Sequence, residues 1–292
     1  MIETATDLQK KKDKAKLILS QVNNLPAIPV VMMEVTKLLG NPMTSAADLG
    51  RVISRDQALV TKILTVANSP LYGLPRRVST IDFAIIILGF DHIKNIVIAL
   101  SVMEAFKNKS DKNLDQKKYW MHSIMTASAA KKIADDLGYY FTGEAFTAGL
   151  LHDLGIPVIH KYSNNEFNKI CEATALRGIS FKEAQEEILG FTHQELGHQL
   201  ALRWNLPPAL SDAIACHHNP EASEQNKALT ALVHLADYMT FKLQAGNFYW
   251  DDDFKLDLSI IETLKFSDEQ HLDKFINSYK DAFLNQLNSV QI

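Results

Sequence analysis

The chain has 292 residues, 47% of them hydrophobic, which suffices for a substantial core and excludes disorder as the default state. A net charge of −4 and a pI near 6.2 offer a polyanion no global attraction, so direct nucleic-acid binding is not expected. The two cysteines, Cys171 and Cys216, make neither a disulfide framework nor a CxxC site, and apolar runs such as Phe83 to Leu88 fall far short of the roughly 20 residues of a membrane helix; with no signal-peptide core, the expectation is a cytoplasmic protein without a membrane partner.

From Asp7 to Gln21, Lys10, Lys11, Lys12, Lys14 and Lys16 alternate with Leu8, Leu17, Ile18 and Leu19, which predicts an amphipathic lead-in helix with a solvated lysine face. Leu25-Pro26-Ala27-Ile28-Pro29 is expected to be extended, because each proline restricts itself and its predecessor. Helices are predicted from Val30 to Leu39, from Ser45 with Asp48 completing a capping pattern, and from Asp56 to Asn68, where Leu59, Ile63 and Val66 recur at helical spacing. Ser79-Thr80 caps a helix reaching Gly89, and another runs from near His92 to about Lys107; Ile85-Ile86-Ile87 has strand propensity, but the flanking periodicity favours helix. His92 has no ligand cluster around it and reads as a capping or surface residue. The polar segment Lys107 to Gln116 is the best boundary, giving an amino-terminal helical half over 1–113, a second half over 114–246 and an extension over 247–292.

The second half carries the chemistry. A helix from Lys118 to Leu137 places His122, Thr126, Ala129 and Ile133 on one narrow stripe, where His122 reads as a core histidine or a ligand. Gly149-Leu150-Leu151-His152-Asp153-Leu154-Gly155 sets a polar pair between apolar residues near a helix end, with Gly155 expected to supply a left-handed cap and Pro157 to stop the helix. Neighbouring helical side chains diverge by about 100°, so His152 and Asp153 can converge on one ion; a plain His–Asp hydrogen bond is the simpler reading of the dipeptide alone. Thr192 and Glu195 form a capping box that fixes His193 at a helix start, where the dipole disfavours its protonated form and leaves the ring able to bind metal. His198 points elsewhere and reads as surface or structural. His217 and His218 close a helix opened by Pro207, and beside the other donors they read as ligands. Asp237 lies on the inward side of a helix from about Lys227 to Leu243; a buried carboxylate must be paired, protonated or metal-bound, and His234 one turn back is the plain partner.

Leu25-Pro26, Ser54-Arg55-Asp56, Ala67-Asn68-Ser69, Tyr72-Gly73 and Ala84 with Leu88-Gly89 together resemble the amino-terminal half of an HDOD domain, a branch of the HD superfamily. The similarity continues through Trp120, Gly149 to Gly155, His193, Trp204 with Leu206-Pro207, His217-His218 and Asp237, so it spans roughly residues 20 to 245. It implies an all-α, multi-helix bundle in two helical halves, with an HD-type metal site in the second, as found in bacterial signalling proteins. It also implies one His on the helix before the His-Asp pair, which fits His122, and a motif ending on Asp, which ranks Asp237 above His234. On that basis His122, His152, Asp153 and Asp237 would hold a first ion, and Asp153 would bridge to a second held by His193, His217 and His218.

Such a set, without cysteine, suits one or two divalent ions, iron or manganese ahead of zinc. Leu154-Gly155-Ile156-Pro157 lacks the Lys that HD-GYP phosphodiesterases carry just beyond the pair, and the Gly-Tyr-Pro motif is missing too. Two functions are therefore expected as alternatives. One is a signal-transduction module binding a signalling protein or a nucleotide without turnover. The other is a metal-dependent phosphohydrolase acting on a nucleotide or cyclic dinucleotide, with Asp153 catalytic. Beyond Gly246, the cluster Phe248, Tyr249 and Trp250 is expected to pack the tail against the body, ahead of two short amphipathic helices.

Overall fold

The computed structural model describes residues 34–35, 37–38, 41, 43–105, 108–244, 250 and 254–289. The expected lead-in helix, the extended prolines, most of the Val30 to Leu39 helix, and Phe248 and Tyr249 lie outside these residues. Among the described residues every regular element is a helix and there is no strand.

Helix α1 (Ala46–Ile53) opens on the expected box: Ser45 Oγ accepts from the Asp48 N–H, and the Asp48 carboxylate accepts from the Ser45 N–H at 3.1 Å. Helix α2 (Gln57–Ala67) is capped by Asp56, which accepts from the Leu59 N–H at 3.0 Å. A 3-10 turn (Pro70–Tyr72) ends at Gly73, whose φ of 62° is left-handed. Thr80 caps α3 (Ile81–Leu88), and α4 (Phe90–Ala105) leaves it at a bend of 118° through Gly89. Ile85 is buried while Ile86 and Ile87 face outward, so helical periodicity overrides β-branched propensity here.

The next helices are α5 (Gln116–Asp136), α6 (Thr142–Leu151), α7 (Gly155–Tyr162), α8 (Asn164–Arg177), α9 (Phe181–Ile188), α10 (His193–Arg203), α11 (Pro208–Cys216) and α12 (Lys227–Lys242). Three short helices, α13 (Ile260–Thr263), α14 (Glu269–Ser278) and α15 (Lys280–Ser289), close the described chain. No single helix among the described residues is long and apolar enough to cross a membrane.

Helix α6 is the hub. All its residues from Ala145 to Leu151 are buried, and α4, α5, α11 and α12 pack around it. Burying Phe146, Leu150 and Leu151 contributes about 1.5–3 kcal/mol apiece. Gly149 lets α5 approach, since a Cβ there would lie 2.8 Å from Ala127 Cα. One core cluster runs from Val35 and Leu49 through Leu100 and Leu151 to Ile214, and a second gathers Met125, Ala148, Val233 and Phe283.

The expectation for Gly155 and Pro157 needs correction. Helix α6 stops at Leu151, but His152 (φ −52°, ψ −41°) and Leu154 (φ −51°, ψ −30°) stay right-handed. Gly155 then begins α7, with Pro157 in its first turn, where the missing N–H has no intrahelical acceptor to lose. The glycine serves close approach instead: a Cβ there would fall 2.1 Å from the His193 carbonyl oxygen.

Candidate metal centre

The end of α6 delivers His152 and Asp153 to the middle of the molecule, and four other helices deliver the remaining donors. His122 comes from the second turn of α5, His193 from the first residue of α10, and Asp237 from the middle of α12. His217 and His218 follow the last residue of α11. The Thr192–Glu195 box is formed, with the Glu195 carboxylate accepting from the Thr192 N–H at 2.7 Å, and it fixes the direction in which His193 enters.

All seven predicted side chains meet. His122 Nε2 lies 3.2 Å from His152 Nε2, 3.3 Å from Asp153 Oδ2 and 3.2 Å from Asp237 Oδ1. His152 Nε2 lies 3.4 Å from each of the same two carboxylate oxygens. On the other side of Asp153, Oδ1 is 3.4 Å from His193 Nε2 and 3.6 Å from His217 Nε2, while His218 Nε2 is 3.2 Å from His193 Nε2. Adjacent ligands on one first-row ion, bound at about 2.0–2.2 Å, stand about 3–3.5 Å apart. Asp153 thus presents one oxygen to each of two donor groups.

Outer hydrogen bonds decide which ring nitrogens face inward. His152 Nδ1 donates to the Gly149 carbonyl at 2.7 Å, His217 Nδ1 to the Ile214 carbonyl at 2.9 Å, and His193 Nδ1 to Gln185 Oε1 at 2.8 Å. Thr240 Oγ1 donates to the Asp237 carbonyl at 2.8 Å, so it is an acceptor for His122 Nδ1, 3.5 Å away. In neutral rings each Nε2 is then a lone pair aimed at another lone pair or at a carboxylate. Asp153 Oδ1, His217 Nε2 and both Asp237 oxygens are buried without a hydrogen bond among the described residues. Groups so placed require a cation or protons between them. Nitrogen and carboxylate donors at this spacing fit a divalent metal site.

The electrostatics agree. Burial raises the pKa of Asp153 and Asp237, but His152 and the hydrogen-bonding imidazoles outweigh it and hold both below the usual carboxylate range, so both stay ionised. Burial lowers the pKa of His152, yet Asp153 and Asp237 raise it well above an ordinary imidazole, a field that favours positive charge at Nε2. Burial also lowers the His193 pKa to about 3 and takes His218 well below its ordinary value, so both rings are neutral and able to bind metal.

Of the other histidines, His234 and His92 depart from expectation and His198 does not. His234 does not bond Asp237: its Nδ1 donates to the His217 carbonyl at 2.7 Å, and its Nε2 accepts from the Asp257 N–H at 2.9 Å. It braces the His217 turn from behind. His92 is neither cap nor surface; it is buried, 2.6 Å from Tyr72 Oη, with its ring edge-on to Phe146. His198 is structural, its Nδ1 lying 3.0 Å from the Ser211 carbonyl.

Three supporting residues escaped the sequence reading. Gln185 accepts from both the backbone N–H and the ring of His193; it shares a helical stripe with Phe181, Ala184 and Ile188, where one polar member signals a buried partner. Thr240, three residues beyond Asp237, is the second. Trp250 is the third, its indole N–H donating to Asp153 Oδ2 at 2.9 Å while its ring stands edge-on to His122. It does pack the tail against the body, but onto the centre itself. Beside His193 and His218 opens a cavity of about 870 Å³, also lined by Trp250, Lys112, Lys182 and Lys255.

Comparison with known proteins gives the same outline. The HDOD domain family model matches residues 25–220. An uncharacterised protein of Treponema pallidum (strain Nichols) is 27% identical over 271 residues, covering 92% of this chain and 52% of that protein, so the chain spans about half of its relative. The crystal structure of an HDOD domain protein of unknown function from Geobacter sulfurreducens is 27% identical and superposes with a TM-score of 0.77, covering 98% of this chain and 100% of the other. A Marinobacter aquaeolei VT8 structure, provisionally named a signal transduction protein, is 22% identical with a TM-score of 0.71, covering 97% of this chain and 66% of that one.

Proposed function

This chain belongs to the HDOD family, and from that premise we propose that it is a signal-transduction module that holds one or two divalent ions and binds a protein or nucleotide ligand beside them without turnover. His122, His152, Asp153 and Asp237 would hold the first ion; Asp153, His193, His217 and His218 would hold the second. Iron or manganese suits these donors ahead of zinc. A bound ion would supply Lewis acidity and lower the pKa of its water. The residues of the chain supply the rest: they neutralise the ion's charge, orient each imidazole and keep bulk water from the first ion.

The observation that carries this reading is closure around the first ion. His122, His152, Asp153, His217 and Asp237 are 0% exposed and His193 1%, and the Trp250 indole already occupies Asp153 Oδ2. The position just beyond the pair holds Leu154 and Gly155 rather than a cation that could hold a phosphate. The name of the Marinobacter structure points the same way. The decisive experiment loads purified protein with iron, manganese or zinc, measures bound metal, and assays phosphate release from a panel of nucleotides and cyclic dinucleotides. Stoichiometric metal without turnover is the expected result; catalytic release by any loaded form overturns it.

One observation favours phosphohydrolysis as the second reading: His193 and His218 line the open cavity, so an ion they held would be within reach of a phosphate there. On that reading Asp153→Asn abolishes phosphoesterase activity with the fold intact, because it removes the charge that bridges both donor groups. Activity retained in that variant at wild-type metal content would refute it.

A further inference from the structure

A second groove lies in the amino-terminal half and shares no lining residue with the cavity beside the metal centre. It encloses about 940 Å³ between α2 and the strap of residues 73–79. Its walls include Leu64, Leu74 and Val78, and Arg76 and Arg77 stand at its edge. Among the described residues no Asp or Glu lines it. Neither arginine has an ion pair among the described residues, although acidic residues outnumber basic ones by 34 to 30 in the whole chain. Elsewhere in the same half, Arg51 pairs with Asp48 and Arg55 with Glu34.

The strap that carries the arginines is fixed at both ends. Gly73 turns the chain in a left-handed conformation, and Pro75 restricts the backbone just before Arg76. Asn68 then clamps Val78 twice, accepting from its N–H at 2.8 Å and donating to its carbonyl at 2.7 Å, while a second donation reaches the Leu64 carbonyl at 2.7 Å. Val78 is 1% exposed, so the strap is anchored in the core while Arg76 and Arg77 remain exposed. Two guanidinium groups on a pre-set backbone lose little entropy on meeting an anion, and their planar forks match phosphate oxygens in pairs.

We propose that this groove is a binding site for a small phosphorylated organic molecule, its phosphates held by Arg76 and Arg77 and its less polar part seated against Leu64 and Leu74. The volume is that of a small-molecule pocket rather than an extended protein interface. Leu64, Pro70 and Leu74, set among the hydroxyls of Thr61, Thr65 and Ser79 beside a cationic edge, suit a molecule with both polar and apolar surface. The site is independent of the metal centre, so its occupancy does not depend on the function proposed there.

Calorimetric titration of the full chain tests it, with ADP, inorganic pyrophosphate, adenosine and a short oligoglutamate as probes. ADP is expected to bind with an affinity that falls as salt is raised, adenosine at least about tenfold more weakly, and the double variant R76A/R77A should lose at least about tenfold in ADP affinity. The variant R76K/R77K keeps the charge but not the fork, so it should recover part of that loss. Replacing Lys112, Lys182 and Lys255 by alanine should leave unchanged the part of ADP binding that R76A/R77A removes, whatever it does to a nucleotide bound in the cavity near His193, which separates the two sites. Both arginines are exposed, and an unchanged melting curve confirms that the variants fold. The proposal is overturned if neither ADP nor pyrophosphate binds at millimolar concentration, if R76A/R77A binds as wild type does, or if oligoglutamate binds as tightly as ADP. The last result would identify the groove as a dock for an acidic protein segment.

Discussion

Asp153 owes one of its hydrogen bonds to a residue far along the chain, the indole of Trp250. Trp250→Phe keeps an aromatic ring against His122 but removes that donor from a buried carboxylate oxygen. The expected cost is about 1–3 kcal/mol, read as a lower denaturation midpoint in chelator-treated protein; an unchanged midpoint would show that Trp250 merely fills space. His92 supports a prediction about pH. Burial is the main force that lowers its pKa from 6.5 to about 3, so the folded ring stays neutral, able to accept from Tyr72, while the unfolded ring protonates near 6.5. Between those values the unfolded state binds more protons, so the contribution is fully present above pH 6.5 and is lost as pH falls towards 3. Each pH unit within that window is worth at most about 1.4 kcal/mol. His92→Gln retains an acceptor for Tyr72 but cannot titrate, so its stability should decline less steeply than wild type from pH 6.5 downward. Parallel curves would remove His92 from the account.

Helix starts were readable where the donor and acceptor lie close in sequence. Ser45 with Asp48 and Thr192 with Glu195 are both formed boxes, because such a contact needs only one turn of local geometry. Gly155 was misread for the converse reason: what it avoids is the His193 carbonyl, brought near by the packing of α7 on α10. The same packing holds His193 against Asp153. Gly155→Ala should therefore force two backbones apart and cost about 1–3 kcal/mol or more, since a carbonyl cannot rotate away as a side-chain tip can. Metal content should fall with it, because the His193 to Asp153 separation widens. A variant with native metal content and native melting temperature would show that the α7–α10 contact is slack.

Across the whole molecule, donor identities were more legible than the way they are held. Histidines and aspartates at inward or terminal helix positions stand out against an apolar background, so His122, His152, Asp153, His193, His217, His218 and Asp237 could be named, and the fold brings them together. The partners that aim them could not be named, since Gln185, Thr240 and Trp250 resemble ordinary stripe or tail residues until distant segments meet. That dispersal has a thermodynamic consequence. Donors from five helices converge on Asp153 and Asp237, and without a cation both Asp237 oxygens are buried and unsatisfied among the described residues. An ion that binds the folded chain alone stabilises it by about 2.7 kcal/mol at a free concentration one hundred times its dissociation constant. For a chain of this size that is a rise of roughly 4 °C in melting temperature. Manganese added to chelator-treated protein should produce that rise. Asp237→Asn, nearly isosteric but uncharged, should abolish most of it while retaining a cooperative transition. If wild type shows no rise, protons fill the centre: the field of Asp153 and Asp237 would hold His152 as an imidazolium, and the cluster would be a buried ion network instead of a metal site.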